Sequence, residues 1–230
     1  VSALIQPLRR MIARLSNAAE IPQIEIAVGE HVTVLVFRLL APWSDQDAEQ
    51  IREFAELHAI QIWEQSKGPE TARLFWPVEV PELSYSLPEF DLVMPFKPTE
   101  FTQVNAALNR SLVSVAMRLL KPQRGERIAD LFCGLGNFTL PIARLGANVL
   151  GLEGSEQLVT RARENALRNG LENVQFAVAN LFELTPEKLS SWGLVDKLLI
   201  DPPRTGALEV VLALPERGGP YRIVYVSCDP

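Results

Sequence analysis

Four short stretches in the second half of this 230-residue chain hold residue types that can do chemistry. The first is Asp130-Leu-Phe-Cys-Gly134-Leu-Gly136-Asn137-Phe-Thr139, after a strand-like segment and ahead of a helical pattern. Glycines there let the backbone pass close to a ligand, and the N–H groups of the helix start point at it. A dinucleotide fingerprint places a third glycine near position 139, where this chain has threonine. Alone, the motif suits a nucleotide-like ligand and a plain strand–helix turn equally. Glu153 follows 17 residues after Gly136, at the end of the next strand. A carboxylate there can accept hydrogen bonds from both hydroxyls of a ribose, although a lone glutamate at a strand end is commonly just solvated. The third stretch is Asp201-Pro-Pro-Arg204. Its two prolines stiffen the loop and leave carbonyls that no helix consumes, a wall fit to hold a flat base. The fourth is Ser227-Cys228-Asp229-Pro230. A cysteine in a cleft is a nucleophile once ionised; at a strand end it is more often an inert core residue. Cys133 reads as the small residue that a glycine turn needs.

Periodic elements have to hold these residues in place. Thr102 is expected to open a helix with Val104, Leu108, Leu112, Val115 and Leu119 on its core face. Strands then read over 127–131, 148–152, 174–178, 195–200 and 221–226, with helices over 137–145 and from Ser155 to Gly170. Strand–helix alternation of this kind predicts an α/β fold, a doubly wound parallel sheet with ligands at the carboxyl ends of its strands. All four stretches then share one crevice. A nicotinamide-dependent dehydrogenase has no use for the Asp-Pro-Pro segment, so the set favours a methyl donor. The strand over 221–226 is expected to form an exposed edge.

Residues 1–98 read as a smaller α/β accessory domain with no catalytic signature. A helix is expected over 3–15, a hairpin from Ile24–Val28 and Val32–Leu39 about Gly29-Glu30, and a helix capped by Ser44 or Asp45 running to His58. A strand follows over 60–63. Five prolines between Pro77 and Pro98 exclude a helix there and place a domain boundary near residue 98.

Composition removes other classes. Hydrophobic residues make up 47% and charged residues 22%, which excludes a disordered chain. No apolar run approaches the ~20 residues of a membrane span, and no secretion signal is read in residues 1–15. Two cysteines and two histidines exclude a disulfide scaffold and a Cys- or His-built metal site. The natural setting is a reducing cytoplasm. The net charge of −6 gives no global basic footprint for nucleic acid. Residues 1–98 carry 8 Lys+Arg against 14 Asp+Glu, and residues 99–230 carry 14 of each. A local patch can still supply phosphate contacts.

Five motifs in order carry a resemblance: Phe101-Thr-Gln103-Val-Asn105, Asp130 to Leu140, Asn165-Ala-X-X-Asn-Gly170, Asp196-Lys-X-X-X-Asp-Pro-Pro-Arg204 and Ile223-Val-Tyr-Val-Ser-Cys228. Together they resemble the RNA (uracil-5-)-methyltransferases, most closely the bacterial branch acting on 23S ribosomal RNA; the tRNA-directed branch shares most of them. The likeness covers residues 99–230 and weakens over 1–98. It implies a Rossmann-like S-adenosylmethionine-dependent methyltransferase sheet. Gln103, Phe132, Asn137, Glu153, Asn180 and Asp201 fall on the family's cofactor-contacting positions, and Cys228 falls on its nucleophile. The chain lacks the family's N-terminal barrel, its last strands with a glutamate base, and the cysteines of the 4Fe–4S cluster found in the 23S-directed enzymes. That implies a fragment without the cluster, its sheet incomplete at the carboxyl terminus. The implied partner is 23S rRNA as substrate, with no membrane, no obligate protein partner, and a monomeric state. Rival readings are an amino-directed methyltransferase, which prefers an aromatic residue where Arg204 stands, and a non-catalytic RNA-binding module.

Overall fold

The computed structural model describes residues 2–77 and 81–227. The chain forms two compact units: Val1–Tyr85 with Pro95–Glu100, and Ser86–Met94 with Phe101–Pro230.

In the first unit, α1 (Ser2–Ile12) and α2 (Asp45–His58) accompany a four-stranded sheet of β1 (Gln23–Val28), β2 (Thr33–Arg38), β3 (Ile60–Gln65) and β4 (Arg73–Trp76). β1 pairs antiparallel with β2, β2 parallel with β3, and β3 antiparallel with β4. Ser44 is the cap of α2, its hydroxyl accepting from the Asp47 N–H. That leaves Ile51, Phe54 and Ala55 to pack on Leu35, Phe37 and Ile62. Burying such side chains contributes about 1.5–3 kcal/mol each. β5 (Ser84–Leu87) and β6 (Leu92–Pro95) form a two-stranded ribbon.

The second unit takes up residues 86–94, ahead of the boundary suggested by the prolines, and three side chains explain why. Arg110 donates to the Ser86 carbonyl (3.1 Å), and Arg144 to that of Asp91 (3.0 Å). Asn169 holds Val93 at both backbone groups, at 2.9 and 2.8 Å.

The body of this unit is a wholly parallel five-stranded sheet in the order β11-β10-β7-β8-β9. Its strands are β7 (Arg127–Leu131), β8 (Asn148–Glu153), β9 (Val174–Val178), β10 (Lys197–Ile200) and β11 (Arg222–Tyr225), as the alternation predicts. From β7 the chain steps outward to β8 and β9, then returns past β7 to β10 and β11. That reversal creates the switch point where doubly wound sheets bind ligands. The helices are α3 (Ala106–Leu120), α4 (Thr139–Arg144), α5 (Glu156–Arg168), α6 (Pro186–Ser191) and α7 (Leu208–Ala213), the last two being additions to the expected pattern. Among the described residues β11 is an edge strand.

The expected core face of α3 is wrong. Its cap is Asn105, not Thr102. Val104 is 94% exposed, and Leu108, Val115 and Leu119 are exposed as well. The buried face is Asn109, Val113, Ala116, Met117 and Leu120. Two apolar stripes run along this helix, and a buried asparagine interrupts the one that packs, so periodicity selected the cleaner stripe.

Candidate cofactor-binding site

The site grows from the turn between β7 and α4. Gly134 and Gly136 sit at φ +55° and +99°, a region that side chains with a Cβ enter at a cost. Nothing lies within 4 Å of where a Cβ on Gly134 would project, so the backbone there is open to a ligand. The turn is held from behind by amides. Asn165 of α5 donates to the Leu135 carbonyl at 3.1 Å. Asn109 of α3 and Asn137 exchange two hydrogen bonds, each 2.9 Å.

Glu153 closes the turn from the neighbouring strand. One carboxylate oxygen accepts from the Gly134 N–H at 3.1 Å and the other from the Ser155 N–H at 2.9 Å. A carboxylate offers about four lone-pair sites, so further acceptor positions remain for a ligand.

Phe132 sits directly after β7 at φ +63°, a left-handed conformation costing of order 1–3 kcal/mol in a residue with a Cβ. Its ring lies 5.5 Å from that of Phe182, inclined at 57°. Phe182 follows Asn180, whose side chain accepts from the Phe182 N–H at 3.1 Å and so sets the turn after β9. On the other side, the Asp201 N–H donates to the Leu131 carbonyl at 3.2 Å, extending the β10–β7 ladder into the loop with Pro202 and Pro203. Partial burial pushes the Asp201 carboxyl up to about 6.

Asp130 is wholly buried. One of its oxygens accepts from the Thr139 hydroxyl at 2.5 Å, while Oδ1 has no hydrogen-bond partner. Desolvation pushes its carboxyl up to about 8; hydrogen bonding from the Thr139 hydroxyl and backbone N–H opposes this, and the charges of Asp201 and Glu153 add to it. Burial likewise pushes the Cys133 thiol up, which keeps it an inert packing group.

Phe132, Asn137, Glu153, Asn180 and Asp201 thus stand at the carboxyl-end side of β7, β8, β9 and β10. Gln103 lies half-buried in the lead-in to α3, two residues before its cap. Cys228, the expected nucleophile, lies outside the described residues, three positions beyond the end of β11. Asn109 and Phe182 belong to none of the sequence motifs. Asn165 belongs to the Asn-Ala-X-X-Asn-Gly stretch, whose role is now visible: Asn165 steadies the glycine turn and Asn169 fastens Val93. Asp196 and Lys197 of another shared motif serve the opposite end of the sheet. Asp196 accepts from the Arg127 N–H at 2.8 Å, and buried Lys197 pairs with Glu126 at 2.6 Å.

The family model for tRNA (uracil-5-)-methyltransferase matches residues 32–230. The 23S rRNA (uracil(1939)-C(5))-methyltransferase RlmD of Thiobacillus denitrificans is 72% identical over 230 residues, covering all of this chain and 53% of that protein. The enzyme of the same name from Nitrosospira multiformis is 56% identical, with the same two coverages. The chain spans about half the length of the curated relatives it matches. The structure is similar to that of the Pyrococcus abyssi tRNA (uracil-54, C5)-methyltransferase in complex with S-adenosyl-L-homocysteine, with a TM-score of 0.67 and 26% identity. That likeness covers 89% of this chain and 49% of the other. The sheet has the Rossmann-like fold of S-adenosylmethionine-dependent methyltransferases, and the chain belongs to the tRNA (uracil-5-)-methyltransferase family.

Proposed function

We propose that this chain is the catalytic segment of a 23S rRNA (uracil-5-)-methyltransferase, with residues 1–85 and 95–100 as its accessory domain. The observation that carries this reading is the meeting of an open glycine turn, a backbone-held Glu153 and half-buried Asp201 at one switch point, next to the strand that leads to Cys228. These residues fit S-adenosylmethionine. The remaining acceptor positions of Glu153 suit a ribose, the Phe132–Phe182 pair offers flat apolar surface to an adenine, and the half-buried carboxylates of Glu153 and Asp201 favour a cationic group. Gln103, Asn137 and Asn180 complete the set of contacts, Asn180 through its amide beside the base. The cofactor, when bound, supplies an electrophilic methyl group.

The work of the chain is to make C5 of uracil nucleophilic. In this reading a Cys228 thiolate adds to C6, which turns the ring into an enolate with carbanion character at C5. After methylation at C5, a base removes the C5 proton and elimination returns Cys228 as the thiolate. In this reading the base is a glutamate outside these 230 residues, as the family resemblance implies. The uridine must be flipped out of its stack, at a cost of a few kcal/mol. The protein acts in the cytoplasm as a monomer, without an obligate partner or a cluster bound by this segment.

RNA containing 5-fluorouridine tests the chemistry, because fluorine at C5 blocks the final elimination. The full-length protein should form an adduct stable to denaturation, and Cys228→Ala should not. An adduct with the alanine variant removes Cys228 from the mechanism. A product N-methylated on its base, in place of 5-methyluridine, would select the amino-directed reading.

A further inference from the structure

We propose that Asp130 is a neutral carboxylic acid in the ligand-free protein and gives up its proton to solvent when a sulfonium cation settles in the crevice. Binding of the charged methyl donor would then be proton-linked, and binding of its uncharged thioether product would be much less so. The proposal rests on the cofactor reading above and concerns a residue that reading did not use.

The geometry starts from an orphan atom. Asp130 lies on β7 beneath the glycine turn, wholly buried, with one oxygen tied to Thr139 of α4 and Oδ1 without a partner. An ionised carboxylate with an unpaired buried oxygen is costly; a protonated one is far less so. The titratable groups facing it are Cys133 of the turn, Glu153 at the end of β8 and Asp201 after β10. Two of these are carboxylates, whose negative charge also favours the neutral acid. Burial pushes the Asp130 carboxyl up to about 8, in agreement with the geometry.

A cation entering among these carboxylates reverses the balance. Positive charge favours the ionised form, so the proton leaves as the ligand binds. Donor and product differ by one positive charge at sulfur. Methyl transfer removes that charge, Asp130 takes its proton back, and the site loses its preference for what it holds. Asp130 is a positioning residue for charge; being fully buried, it need not touch the ligand.

Calorimetric titration of the 230-residue protein near pH 7, in two buffers of different ionisation enthalpy, reads the proton directly. S-adenosylmethionine should release a proton fraction approaching one, and S-adenosylhomocysteine clearly less. Affinity for the donor should rise by up to about tenfold per pH unit between pH ~6 and ~8. Asp130→Asn keeps an acceptor for Thr139; it should still bind, with the pH dependence flattened and the donor–product difference in proton release gone. An infrared C=O band of a protonated carboxyl at neutral pH, absent from Asp130→Asn, should mark the free acid. Equal proton release for the two ligands, or no such band, overturns the proposal. Failure of both ligands to bind would overturn the cofactor reading and the linkage with it, while the band would still report the neutral acid.

Discussion

Glu153 pins the glycine turn to β8, and in the proposed reading the same carboxylate also holds the ribose of the cofactor. Glu153→Gln would replace one acceptor oxygen with an NH₂ group facing a backbone N–H. Losing a charged hydrogen bond costs about 1.5–3 kcal/mol. Affinity for S-adenosylhomocysteine should therefore fall at least tenfold by calorimetric titration, and unchanged affinity would remove Glu153 from the site. Gly151 shows a different constraint. A Cβ there would sit 2.6 Å from the Phe176 ring and 3.1 Å from the Cys133 sulfur. Gly151→Ala should cost about 1–3 kcal/mol of overpacking, read from the urea midpoint. Asp130 and Asp201 give the ligand-free protein a pH signature. Both folded-state values lie above those of an unfolded chain, so the native state holds more protons between pH ~4 and ~8. Stability from these groups is complete below the lower limit and is lost as pH rises through about 6 and then about 8. Melting temperature without ligand should fall over that interval, and Asp130→Asn should blunt the upper part of the fall.

Elements explain residues that look functional but serve packing. Lys197 opens β10 with 2% of its side chain exposed, donating to Glu126 and to the Lys121 carbonyl, while the Tyr221 hydroxyl also donates to Glu126. Burial would raise the Glu126 carboxyl, but these hydrogen bonds outweigh it and hold the carboxyl below its usual value. Removing one partner of such a pair leaves an uncompensated charge. Glu126, however, is partly exposed and keeps the Tyr221 hydroxyl and the Gln123 N–H as donors, so Lys197→Met should cost about 1–3 kcal/mol in denaturant unfolding, and a loss below about 0.5 kcal/mol would show that the pair is not holding the strand. The same scale accounts for α3. Its amphipathic pattern predicted a helix, and a helix is present. Which of its stripes faces inward depended on Asn109 meeting Asn137, a contact 28 positions apart in sequence.

The whole molecule divides into two compact units, each with its own core. Chains of this kind depart from two-state unfolding. Calorimetry should resolve two transitions. Phe37→Ala, emptying a fully buried site in the first unit, should lower one of them by an amount equivalent to about 3–5 kcal/mol. S-adenosylhomocysteine should raise the other. A single transition shifted by both changes would mean that the units unfold as one.

The sequence by itself determined what local chemistry controls: the order of the parallel strands' elements, the Ser44 and Ser155 caps, the glycine turn, and the carboxylates at the strand ends. Each follows from a backbone preference or a short-range spacing, and ordered motifs sufficed for the family resemblance. Only the tertiary structure decided the inward face of α3, the attachment of residues 86–94 to the second unit, the Phe132–Phe182 pair, and the unpartnered oxygen of Asp130. Those depend on groups far apart along the chain, on burial, and on which of two equally apolar surfaces finds a partner, and no local pattern of residues encodes them.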